Sequence, residues 1–145
     1  MTTTAPTLDA RVIALAHHAA RTLAEGALAR HDVTFHQSVT LRAVAVAGGS
    51  ISHRDLLTEV TDALKAAEPL IEGVIDELTA SQLIHRRDSV LTLTDTGRER
   101  YETASAATAA IATRLYAGIP AEDLAVAGRV LTLITDRANA ELPAP

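Results

Sequence analysis

Residues 52–98 read SHRDLLTEVTDALKAAEPLIEGVIDELTASQLIHRRDSVLTLTDTGR, and this stretch decides the fold. Ser52 precedes a helical run and can cap it, because a serine oxygen accepts an amide hydrogen that the first turn leaves unpaired. Ile51 before the cap and Leu56 at the fourth helical position are placed for a hydrophobic staple. A further helix is expected from Pro69, since a missing N–H costs nothing in a first turn. Ile71, Val74, Ile75 and Leu78 recur at i, i+3, i+4 and i+7, the spacing of one buried stripe. Residues 83–86 and 90–94 predict two short strands, with Arg87-Asp88-Ser89 as a tight turn. Two helices followed by a hairpin make a helix-turn-helix with a two-stranded wing.

Outward from this unit the chain is helical. Leu8, Val12, Leu15, Ala19 and Leu23 form a stripe on a first helix that runs to about Arg30. Residues 1–7, Thr-rich with Pro6, are expected to lie before it. Thr34-Phe35-His36-Gln37 predicts a capping box opening a second helix, which Gly48-Gly49 closes. After the hairpin, Tyr101, Ala104, Thr108, Ile111 and Leu115 mark a fifth helix ending at Gly118. Leu124, Leu131 and Ile134 mark a sixth, ended by Pro143 and Pro145. The first helix and the last two carry apolar stripes too long for so small a central unit to cover. A two-fold dimer in which these terminal helices interlock is the expected solution, with Tyr101 and Tyr116 at its seam.

Apolar residues make up 48% of the 145 and charged residues 21%, so a folded core built from aliphatic side chains is expected. The absence of cysteine excludes disulfides, thiolate nucleophiles and thiolate zinc sites. The formal net charge of −5 gives no electrostatic help toward nucleic acid or an anionic membrane. No apolar run is long enough to span a bilayer and no secretory leader pattern is present, so a cytoplasmic location is expected, without a membrane partner.

Three segments together resemble the MarR family of winged helix-turn-helix regulators over nearly the whole length. Leu91-Thr92-Leu93-Thr94-Asp95-Thr96-Gly97-Arg98 is similar to that family's junction between wing and following helix. Gly118-Ile119-Pro120-Ala121-Glu122-Asp123-Leu124 is similar to its turn before the last helix. Residues 78–86 are similar to its recognition helix running into the wing. The resemblance implies a mostly α fold with a small β-wing, and a single domain. Residues 8–31 and 98–142 would dimerise, and residues 34–97 would form the winged unit. It also implies a homodimer on double-stranded DNA at a pseudo-palindromic site, and a small-molecule ligand between dimerisation helices and winged unit. No cofactor is implied.

The residues at the reading head depart from that pattern. Where the family tends to place Ser, Thr and Arg, this chain has Pro69, Leu70, Glu72 and Gly73, then Asp76 and Glu77. None of the residues that pair bidentately with purines occurs between Pro69 and Asp76. The wing is short. From His53 to Asp88 four bases (Arg54, Lys65, Arg86, Arg87) stand against eight acids, a net charge of −4. Phosphate contacts are therefore assigned to Ser52, His53 and Arg54 and to Arg86 and Arg87 of the wing. Arg98 is expected to form an ion pair within the winged unit, with a phosphate contact as the alternative.

His17, His18, Arg21 and His36 are the candidate ligand-binding residues, polar groups at an aliphatic cleft. His17 and Arg21 share a helical face, as would Asp32 and His36 on an early-starting second helix. Adjacent histidines point about 100° apart on a helix and cannot both face one ion, so no metal site is expected. No catalytic set is assigned. Two functions remain open: a ligand-responsive DNA-binding regulator, or a scaffold of the same shape that has stopped reading DNA and binds or transforms a small molecule.

Overall fold

The computed structural model describes residues 4–144. In chain order it contains α1 (Ala10–Ala29), α2 (Phe35–Val46), β1 (Ser50–Ser52), α3 (His53–Leu64), α4 (Glu68–Ala80), β2 (Ile84–Arg87), β3 (Val90–Leu93), α5 (Asp95–Tyr116) and α6 (Ala121–Glu141). Two compact units divide within α5, after Ile111. Residues 1–3 of the N-terminal segment and Pro145 lie outside the described residues, and residues 4–9 precede the first helix.

Local chemistry sets the helix ends. Asp9 Oδ1 accepts the Val12 N–H at 2.8 Å and starts α1. Thr34 and Gln37 form the expected capping box, with reciprocal bonds of 3.1 Å. At the other end of α2, Gly48 takes φ 93, and the Gly48 and Gly49 N–H groups bond back to Ala45 and Val44. Only a residue tolerant of positive φ closes a helix this way at low cost. Ser52 Oγ accepts the Asp55 N–H at 3.1 Å and starts α3. The fourth helix opens one residue before the expected Pro69, at Glu68, with Ala67 as a cap that makes no side-chain bond.

The wing has three strands, not two. The sheet order is β1-β3-β2 and both pairings are antiparallel. Ser50, Ile51 and Ser52 pair with Thr92, Leu91 and Val90, and the Ser50 and Thr92 hydroxyls meet at 2.9 Å. Three residues between a glycine turn and a helix cap are too few to show a strand's period of two. The hairpin is tighter than expected: β2 extends to Arg87, leaving Asp88 and Ser89 as the turn, with Asp88 at φ 55.

The first unit's main core joins α2, α3, α4 and the sheet. Leu41, Val44, Leu56, Val60, Ile71, Ile75, Leu78, Ile84 and Leu91 are buried in it, with Ile51 packed at its edge. Its buried hydroxyl, Thr40, donates to the His36 carbonyl at 2.8 Å, so no polar group is stranded. The Leu91–Arg98 motif has a physical basis. Thr94 Oγ1 donates to the Gln82 carbonyl at 2.7 Å and accepts the Gly97 N–H at 2.9 Å, capping α5 against the end of α4. Gly97 lies so close to Leu83 that a Cβ there would overlap the Leu83 carbonyl oxygen. A smaller cluster, Leu28, Val33 and Ala104, joins the end of α1 to α5.

Tyr101 is half-buried and packs against the main core, while Tyr116 is exposed. The face of α1 leaves Leu15 and Leu23 about half exposed. In the second unit, Gly118 at φ 77 ends α5 and Pro120 precedes α6. No described residue of α6 is buried; Leu124, Val126, Leu131, Leu133 and Ile134 all meet solvent. The helix ends at Glu141, two residues before Pro143. No helix among the described residues is long and apolar enough to cross a membrane.

Candidate nucleic-acid interface and ligand groove

The five residues assigned to phosphate contact converge at one end of the sheet. Ser52 pairs with Val90 and Val90 with Arg87, so cap, wing strand and wing arginine share one rung. The His53 N–H donates to the Ser89 carbonyl at 2.7 Å, tying the start of α3 to the wing turn. Arg54, Arg86 and Arg87 are exposed, and so is His85, which sequence reading left out although it extends the same run. Arg86 Nε reaches back to the Asp88 carbonyl at 3.5 Å, a weak bond that leaves the guanidinium available.

The structure changes the meaning of two acids on α4. Glu72 Oε2 lies 2.8 Å from His53 Nε2 and Glu77 Oε2 accepts Gln37 Nε2 at 3.0 Å. Each carboxylate thus ties α4 to another helix. Gln37 serves twice, since its Oε1 also closes the α2 capping box. What α4 turns outward is Glu68, Pro69, Leu70, Gly73, Asp76, Glu77 and Ala80, a face with no cationic or purine-pairing side chain.

The expected ion pair of Arg98 is absent: among the described residues no carboxylate lies within ion-pair distance of it. Its guanidinium instead lies over the glycine turn, so close that a Cβ on Gly49 would stand 2.8 Å from Nη2. The turn's lack of side chains makes that seat.

Of the four candidate ligand residues, the structure brings two together. Arg21 and His36 line an open groove of about 530 Å³ with Glu25, Ala29, Asp32, Val33, Thr34 and Phe35. Arg21 stacks over the Phe35 ring, 4.2 Å from its centroid, and its Nε donates to Glu25 at 2.7 Å. His17 and His18 stand apart on the exposed face of α1, edge to face with each other at 5.4 Å. Neither lines this groove. The expected Asp32–His36 face does not form, because α2 starts only at Phe35 and Asp32 sits in the preceding turn at φ 56. Sequence reading also missed Phe35 as the platform under Arg21; only its place beside the Thr34 cap hinted at it. A second, smaller cavity of about 100 Å³ lies among α2, α5 and the end of α1, lined by Leu28, Val39, Leu41, Arg42 and Tyr101 with Ser38, Ala104, Ser105 and Thr108. No group of three His, Asp or Glu among the described residues is arranged to hold a metal ion.

No protein-family model and no curated protein sequence matches the chain. Solved structures do match it. The reduced form of MarR from Escherichia coli is 18% identical, with a TM-score of 0.70 over 90% of this chain and 95% of that one. A MarR family transcriptional regulator from Streptomyces coelicolor is 18% identical, with a TM-score of 0.72 over 92% and 94%. A MarR family protein of Mycobacterium tuberculosis, solved in complex with DNA, is 20% identical, with a TM-score of 0.67 over 88% and 98%. The same protein has been solved in complex with salicylic acid. The chain therefore has the fold of the MarR-family transcriptional regulators.

Proposed function

We propose that the chain is a dimeric, ligand-responsive DNA-binding regulator of MarR type whose duplex contacts come from the wing and the start of α3. One observation carries this reading: an intact winged unit whose cap, Arg54, Arg86 and Arg87 gather at the end that includes the wing turn. Cations there can release counterions from phosphates, the sequence-independent part of duplex affinity. Selectivity then falls to DNA shape and to the wing, because α4 offers no purine-pairing group. The apolar faces of α1 and α6 supply the dimer contact, since monomers rarely leave such faces in water.

The groove of Arg21, Phe35 and His36 suits a small aromatic acid: a carboxylate at the guanidinium and a ring near Phe35. The M. tuberculosis protein bound to salicylic acid makes that ligand class the natural first probe.

The acidic face of α4 favours a second reading, a scaffold of this fold that binds or transforms a small molecule without touching DNA. Fluorescence anisotropy on a short mixed-sequence duplex separates the two. The regulator binds at low salt, and its log affinity falls linearly with log salt concentration. Replacing both Arg86 and Arg87 by Ala lowers that slope by roughly 0.9 for each lost contact. A chain that holds salicylate but shifts no duplex even at low salt is the scaffold.

A further inference from the structure

We infer that Glu72 is a built-in competitor for the backbone phosphate that His53 would otherwise meet. The inference rests on the regulator reading above.

His53 is the first helical residue of α3, and two amide donors of that turn are already used. Its own N–H goes to the Ser89 carbonyl, and the Asp55 N–H goes to Ser52 Oγ. The imidazole is therefore the donor that this position can still offer an incoming anion. Its Nε2 lies 2.8 Å from Glu72 Oε2. A carboxylate thus stands where a phosphate oxygen would stand, beside the residues that carry the cations of the winged unit. The contact borders solvent: the side chains are 20% and 39% exposed for His53 and Glu72. A phosphate can displace it, at the expense of the bond already made.

The other α4 acids are placed differently. Glu77 is held by Gln37, away from His53, and Asp76 is exposed. Asp76 therefore serves as the control for charge alone. It removes one negative charge from the same helix without freeing the imidazole.

The test is duplex affinity of the full-length protein at low salt, by anisotropy on a short mixed-sequence duplex. Glu72→Gln keeps the side chain's size, and Glu72→Ala removes the partner outright. Glu72→Ala is expected to tighten binding by about fivefold, more than Asp76→Asn does, because it frees a donor as well as removing a charge, whereas Glu72→Gln, whose amide oxygen still accepts from the imidazole, is expected to gain less. In a His53→Ala background, Glu72→Ala is expected to gain no more than Asp76→Asn. Wild-type binding with equal gains from Glu72→Ala and Asp76→Asn would overturn the competitor role and leave the regulator standing. An undiminished gain in the His53→Ala background would do the same. Failure of every variant to bind duplex would overturn both.

Discussion

At the scale of single residues, contacts between distant positions decide what the winged unit can do. The capping box at Thr34, the cap at Ser52 and the buried stripe of α4 were all legible, because each is a relation among residues a few positions apart. The bonds between His53 and Glu72, and between Gln37 and Glu77, span 19 and 40 residues. No local spacing rule reaches that far, so these acids looked like an ordinary solvated face. The same limit separated Arg21 and His36, which do share a groove, from His17 and His18, which do not line it. Gly97 gives a sharp test at this scale. A methyl group there meets the Leu83 backbone, which cannot swing aside as a side chain can. Gly97→Ala is expected to cost on the order of 3 kcal/mol, read as a lowered midpoint in chemical denaturation. An unchanged midpoint would mean that the junction between wing and α5 is looser than described.

At the scale of elements, the six helices and the hairpin followed from periodicity and caps, and the third strand did not. Ser52 is both the last residue of β1 and the cap of α3, and the stronger cap signal hid the strand. Helix ends show a similar economy. Asp32, Lys65 and Gln82 take φ between 50 and 59 at turns that a glycine would close with less strain. At Gln82 the turn is held by main-chain bonds from Gln82 to Thr79 and from Leu83 to Leu78, which glycine retains. Relief of the left-handed strain, set against glycine's greater freedom in the unfolded chain, leaves a net gain. Gln82→Gly is expected to stabilise by roughly 0.5–1 kcal/mol, read as a raised denaturation midpoint. Destabilisation would show that the glutamine side chain contributes more than the strain it brings.

At the scale of the whole molecule, the dimer and the duplex belong to one argument. On the proposed regulator reading, a chain of 15.2 kDa with a formal charge of −5 would hold double-stranded DNA through a few well-placed cations. Doubling those cations on a two-fold axis would be how a reading head of net negative charge reaches useful affinity. The exposed leucines and isoleucine of α6 are the surface such an axis would cover. Sedimentation velocity of the protein with a labelled mixed-sequence duplex, at low and then at high salt, tests both at once. The account predicts free protein at twice 15.2 kDa, and a complex of two chains per duplex that dissociates as salt rises. A monomer of 15.2 kDa, or a dimer that never sediments with the duplex at any salt, would contradict it.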